Sequence, residues 1–316
     1  MIRKLIGVLV VLGSLAFGAF WLLSAPRTLA AADLPDHAPD LANGEYMFWA
    51  GGCASCHAAP GAAGDDMLKL AGGRVLKSDF GDFTVPNISP DKATGIGSWT
   101  ALDLVNAMKY GVGPDGTHLY PAFPYTSYQR MRLEDIIDLK AYLDTLPAVE
   151  NAVPATALAF PYNIRRGIGL WQRLYVNGET FVPDPAASAA VNRGAYLTEG
   201  PGHCTQCHSP RGFDGGIIAD RAYSGAPLPG GAGNAPNITT DTESGIGTWS
   251  VTDIVGMMKT GFLPDFDVVG GDMTEVQRNL ARLAPDDQTA MAEYLKTLPA
   301  IPSQYKATQA GGSAFD

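Results

Sequence analysis

Cysteine and histidine are scarce in this chain: four and five residues in 316. All four cysteines stand in pairs three residues apart, Cys53 with Cys56 and Cys204 with Cys207. No thiol remains for a framework of bridges between distant segments, or for a cysteine ligand or nucleophile elsewhere. Basic residues are few as well. Lys and Arg number 22 against 32 Asp and Glu, a formal net charge of −10, or −12 once Arg3 and Lys4 are set aside. This excludes a nucleic-acid partner, because phosphate contact needs Lys and Arg. An acidic surface suits a basic docking partner and also plain solubility. No stretch alternates apolar and polar residues for long enough to make a sheet. The chain is therefore expected to be all-α, with 37 Gly and 23 Pro marking many loops. Its length allows two domains.

The long apolar run lies at the N-terminus. Arg3 and Lys4 precede "LIGVLVVLGSLAFGAFWLL", residues 5–23, without a charge. A cleaved signal has a shorter apolar core of roughly 7–15 residues, and a spanning helix needs about 20. The run fits an anchor, with Trp21 suited to the interface and the basic residues left inside. "TLAAAD" (28–33) still offers small residues to a signal peptidase. Either reading exports the body: to the periplasmic face of a bacterial inner membrane if residues 1–32 are an anchor, to the soluble periplasm if they are cleaved.

Each cysteine pair is closed by a histidine, in "GGCASCHAAP" from Gly51 and "GPGHCTQCHSP" from Gly200. Cys-x-x-Cys-His is the attachment pattern of c-type haem. Two thiols on one helical turn reach the two vinyl groups along one edge of the porphyrin, and the next residue offers its imidazole to the iron. Zinc would require further ligands, and only His37, His118 and His203 remain. The sequence thus predicts two covalent haems, on Cys53, Cys56 and His57 and on Cys204, Cys207 and His208.

The motifs are 151 residues apart, and more repeats near that offset. "PNISPDKATGIGSWTALDLVNAMKYGV" from Pro86 aligns with "PNITTDTESGIGTWSVTDIVGMMKTGF" from Pro236 without a gap. Thr100 with Asp103, and Ser250 with Asp253, give the Ser/Thr-x-x-acid signal of a helix start. A last helix is expected from Leu133, with Glu134 and Asp135 in its first turn. Pro147 and Pro299 stop the last helix of each half. The expected layout is a signal or anchor (1–32), a first haem domain (38–150), a connection (151–188), a second haem domain (189–302) and a flexible tail (303–316).

The face opposite each histidine decides between electron transfer and chemistry on a ligand. Met131 is the one methionine between the middle and last helices of the first half, and Met273 occupies the matching loop of the second. Both are candidate sixth ligands, although their offset of 142 shows that the loops differ in length. His118 is a rival to Met131. Met108 and Met258 pair at an apolar helical position and are read as core. Arg74, Arg165, Arg166 and Arg211, with Trp99 and Trp249, are candidate donors to haem propionates; core packing is the alternative for the tryptophans.

"THLYPAFPYTSYQRM", "FPYNIRRGIGLWQRLY", "RGAYLTEGPGHCTQCHSPR" and "GGDMTEVQRNLARLAPDD" resemble the cytochrome c subunits of bacterial membrane-bound alcohol, gluconate and sorbitol dehydrogenases over residues 38–302. The resemblance implies two tandem class I-like mono-haem cytochrome c domains, with Met131 and Met273 as sixth ligands. It also implies that Asn163 and Arg165 position haem or pack the two lobes. Those subunits carry three haem domains and this chain has two, so its partner can differ. The expected function is a non-enzymatic electron carrier, taking electrons from a dehydrogenase or quinol-side donor and passing them to a soluble cytochrome or terminal oxidase. A peroxidase-like di-haem enzyme with one open haem site is the alternative, and a gas or redox sensor a third reading.

Overall fold

The computed structural model describes residues 1–307. Helix α1 (Ile2–Leu23) is strongly apolar and has no buried residue. It is long and apolar enough to cross a membrane. The chain then lies over the first half. Ser24 is fully buried, and the Asn106 side chain accepts from the Leu29 amide at 2.7 Å.

The first half comprises α2 (Leu41–Ala50), α3 (Cys53–His57), α4 (Ala101–Tyr110), α5 (Tyr125–Tyr128) and α6 (Leu133–Leu143). A connector helix, α7 (Ile168–Tyr175), follows. The second half repeats the order with α8 (Ala189–Glu199), α9 (Thr205–His208), α10 (Val251–Thr260), α11 (Asp272–Leu280) and α12 (Pro285–Leu295). Extended structure is confined to two antiparallel pairs of two-residue strands, Val75–Leu76 with Phe83–Thr84 and Ala226–Pro227 with Asn234–Ala235. The start signals read from the sequence are reciprocal capping boxes: Asp103 N–H bonds Thr100 Oγ1 and Thr100 N–H bonds Asp103 Oδ2, and Ser250 with Asp253 repeats this.

In each half the first helix crosses the last at a glycine. A Cβ at Gly44 would overlap the Asp138 carbonyl, and one at Gly194 the Ala290 carbonyl. Only glycine lets α2 sit on α6, and α8 on α12, at that distance. The halves are clasped reciprocally. Tyr196 of α8 donates to Asp135 of α6, which also holds Arg132; Tyr46 of α2 donates to Asp287 of α12, which also holds Arg193. The helix-period core runs through both halves as one cluster.

Three features differ from the sequence reading. The connection contains a helix, α7, that the sequence reading did not assign. The Met273 loop is a nine-residue helix, α11, against four residues in α5. The first residues of the expected tail are tied to the second half: Tyr305 O accepts from Asn237 N–H at 2.7 Å and Ala307 N–H bonds Ser244 O at 2.8 Å. Residues 308–316 lie outside the described residues.

Candidate functional site

Each Cys-x-x-Cys-His occupies one short helical segment, so both thiols and the imidazole issue from a single turn. The segment is entered through a left-handed residue, Gly52 (φ 61°) in the first half and His203 (φ 40°) in the second. His57 Nδ1 donates to the Pro86 carbonyl at 2.9 Å, and His208 Nδ1 to the Pro236 carbonyl at 2.7 Å. A carbonyl acceptor fixes the proton on Nδ1 and leaves the Nε2 lone pair free for a metal. Burial drives the His57 pKa down to about 4 against the raising effect of the Pro86 carbonyl, and it lowers that of His208 in the same way. Both rings are therefore neutral bases at neutral pH. Burial pushes the Cys53 and Cys204 thiols up to about 12, and raises Cys56 and Cys207 as well. The four thiols are unpaired in the structure, and a raised pKa is the opposite of nucleophile activation. Two protonated thiols one turn apart, a neutral imidazole with a free Nε2 and an apolar surround fit a covalently tethered iron porphyrin.

The proline carbonyls were missed by the sequence reading, although their signal was there in the repeated "PNI". Asn87 holds Pro86 in place. Its amide donates to Val149 O (2.7 Å) and Thr94 Oγ1 (3.1 Å), and its oxygen accepts from Ser89 N–H (2.9 Å). Asn237 does the same for Pro236 through Ile301 O, Ser244 Oγ and Thr239 N–H.

The two motifs face one another. Cys56 and Cys207 lie close enough for the charge of one to raise the pKa of the other, and Asp272 acts on both. A Cβ on Gly52 would sit 3.9 Å from His203 Nε2. The His203 ring stands edge-on to Tyr128, whose hydroxyl donates to Gly51 O at 3.0 Å. Each half also lays its loop on the other's motif: Asn279 Nδ2 donates to Ser55 Oγ (2.7 Å), and Gln206 Nε2 to Ser127 Oγ (2.8 Å).

The arginine candidates fall in different places. Arg74 donates to Ser55 O (2.8 Å) and pairs with Asp272 (2.5 Å); Arg211 donates to Gln206 O (3.0 Å). Ser55 and Gln206 are matching positions, so two arginines from unrelated points in the chain clasp the same carbonyl of each motif, beside its second cysteine. Arg165 stacks on Tyr120 at 4.5 Å, and Arg166 on Trp21 at 3.8 Å, at the foot of α1. Trp99 and Trp249 occupy matching positions against the core, and neither indole N–H finds a protein acceptor among the described residues.

Met273 is part-exposed and lies one and two turns from Gln277 and Leu280 on one face of α11; Gln277 Nε2 bonds Met258 O of α10 at 3.1 Å. That face belongs to the second half. Met131 is placed differently. It has no accessible surface, and its Cγ lies 3.7 Å from the point a Cβ on Gly200 would occupy, against the end of α8. The rival His118 is engaged at both nitrogens, Nδ1 with Gln172 Oε1 (2.6 Å) and Nε2 with Ser24 O (2.8 Å).

A family model for cytochrome c matches residues 41–147. The diheme cytochrome c-type protein of Cereibacter sphaeroides is 47% identical over 83% of this chain and 87% of its own length. The fructose dehydrogenase cytochrome subunit of Gluconobacter japonicus is 36% identical over 84% of this chain and 54% of its own length. The cytochrome c subunit of the quinone alcohol dehydrogenase of Gluconobacter oxydans is 35% identical over 89% of this chain and 61% of its own length. The chain thus spans nearly all of the first relative and little more than half of the two dehydrogenase subunits. Given these relatives and the donor geometry of its two motifs, the chain belongs to the di-haem c-type cytochromes and its cofactor is covalently bound haem c.

Proposed function

We propose that the chain is a periplasmic electron carrier made of two tandem class I-like cytochrome c domains, residues 38–150 and 189–302. Its donor is a dehydrogenase or a quinol-side protein, and its acceptor a soluble cytochrome or terminal oxidase. The observation that carries this reading is the reciprocal facing of the two motifs, with Gly52 against His203 and Cys56 near Cys207. When bound, each haem supplies one-electron exchange at its iron. The chain's residues hold the two sites at one fixed separation through the Tyr196–Asp135 and Tyr46–Asp287 clasps, so exchange between them needs no diffusion. His57 and His208 would each hold an iron, and Met273 would supply a second donor at the second site. Arg74 and Arg211 would steady the backbone just before the second cysteine of each motif. The indoles of Trp99 and Trp249 would offer N–H donors to haem propionates.

The apolar helix α1 is a retained anchor in this reading. Its end is built into the body: Arg166 donates to Trp21 O (2.7 Å) and Ser24 Oγ (3.0 Å), Arg173 donates to Leu23 O, and His118 bonds Ser24 O. Cationic side chains on the last carbonyls also complement the helix dipole. Exposed Phe160, Ile164 and Leu174 (77%, 48% and 74%) line the same connector, where a bilayer surface would cover them.

The test is flash photoreduction of the oxidised, haem-loaded full-length protein by a flavin radical. Re-equilibration between the two haems at a rate independent of protein concentration is expected. A rate proportional to concentration would refute intramolecular relay.

A further inference from the structure

The two halves enter their last helices in the same way. Met131 precedes the N-cap Arg132, and Leu283 precedes the N-cap Ala284. Met131 N–H bonds Tyr128 O at 2.9 Å, and Leu283 N–H bonds Leu280 O at 3.1 Å. Met131 has no exposed surface and Leu283 only 4%. Met131 therefore fills the core position that leucine fills in the second half. A side chain that ligates a metal in a crevice needs a face open to that crevice; Met273 is part-exposed, whereas Met131 has no accessible surface.

The counterpart of Met273 can be found by register. After the middle helices the two halves run at an offset of 150: the bridge Val112–His118 matches Phe262–Val268, and Leu119 N–H to Gly111 O matches Val269 N–H to Gly261 O. Into the last helices the offset is 152, as Met131 and Leu283 show. Met273 lies between those two registers, so its counterpart falls within Pro121–Ala122–Phe123. None of these residues has a donor side chain. Phe123 is part-buried against the core, 5.4 Å from the Tyr128 ring.

The other neutral donors of the first half are spoken for. His118 bonds through both nitrogens. Lys109 Nζ donates to Gln129 O, Met131 O and Thr180 Oγ1. His37 bonds Asp138 at 2.7 Å. Met47 and Met67 are buried on α2 and just after the first motif, and Met108 sits where the second half keeps Met258 in addition to Met273.

We propose that the first haem receives no sixth ligand from this chain, so that its iron takes a small uncharged ligand such as carbon monoxide when reduced or imidazole when oxidised. The second haem is closed by Met273. This rests on the di-haem reading above. Because a methionine ligand raises the potential of a haem, the first site is also the lower-potential one, and the pair is polarised from the first half to the second.

The test uses the full-length protein, with haem counted by its pyridine complex and ligation read by visible and resonance Raman spectra. With two haems per chain, one carbon monoxide per chain is expected. Met131→Leu should leave that stoichiometry and both spectra unchanged. Met273→Leu should raise it to two, and Phe123→Met should lower it to zero. No carbon monoxide binding in the unaltered protein, or a second binding site created by Met131→Leu, would overturn the proposal. A count below two haems would overturn the di-haem reading and the proposal with it.

Discussion

Asn87→Ala tests whether the repeated Pro-Asn pair sets the proximal histidine. Asn87 is 3% exposed and makes three good hydrogen bonds, to Val149 O, to Thr94 Oγ1 and from Ser89 N–H. At about 1 kcal/mol each the loss is about 3 kcal/mol. Val149 O keeps Ser89 Oγ at 3.1 Å, so the Ser89 amide is the group left unpaired. The melting temperature should fall by about 6–12 °C. The chemistry should move too. With Pro86 released, its carbonyl no longer draws the Nδ1 proton, the imidazole becomes a poorer electron donor, and oxidised iron is less favoured. A change of about 0.5–1 kcal/mol in that preference is about 20–40 mV upward for the first haem alone. Asn237→Ala should act on the second haem and cost more, because Asn237 also accepts from Thr239 Oγ1 at 2.7 Å. Calorimetry and a potentiometric titration in the visible bands read both effects. A melting point within about 2 °C of the parent, which corresponds to less than about 1 kcal/mol, with unchanged midpoints, would refute the reasoning.

Tyr196→Phe removes a donor to Asp135, which is 1% exposed, and should cost about 1.5–3 kcal/mol by chemical denaturation. Tyr46→Phe should cost less, because the Asp287 side chain is more exposed than that of Asp135. Burial would raise the Asp287 pKa, but hydrogen bonds from Arg193 and Tyr46 more than offset it and hold it below the usual range; Asp138 is lowered in the same way by bonds from the Asp40 amide, Asn43 and His37. A depressed carboxyl stabilises the fold above the unfolded value of about 3.9 and loses that stabilisation as pH falls through the folded value. Stability should therefore be flat through neutral pH and fall steeply below pH about 4, with a shallower fall in Asp287→Asn. Arg166→Ala should free the foot of α1 and raise hydrogen exchange at Leu29 and its neighbours about tenfold, since it removes a stacked cation worth about 1 kcal/mol and two hydrogen bonds; unchanged exchange would count against a built-in anchor.

Much of this protein was legible in its residues. The spacing of two thiols and an imidazole carries its own chemistry, because all three groups must leave one helical turn. The caps at Thr100 and Ser250 are local, and they stand where the sequence put them. The duplication announced two haem motifs. What loop membership could not decide is where Met131 goes. Met131 is the one methionine in its loop, and the fold buries it fully beside Gly200, while the two halves change register between the middle and last helices. A one-dimensional count cannot see where that change falls. The proline carbonyls escaped for a similar reason: a backbone acceptor 29 residues from His57 has no side-chain signature. Arg74 and Arg211 looked like loop cations, and their shared carbonyl target shows only when the chain is folded.

The sequence alone determined the cofactor, its two Cys-x-x-Cys-His motifs and the apolar helix, because each depends on residues within a few positions of one another. Tertiary structure decided how the two motifs face each other, how deeply each loop methionine is buried, and how the end of α1 is held. Those depend on contacts between residues tens to hundreds of positions apart, as from Ser55 to Asn279 or Tyr46 to Asp287, and only packing brings such groups within bonding distance.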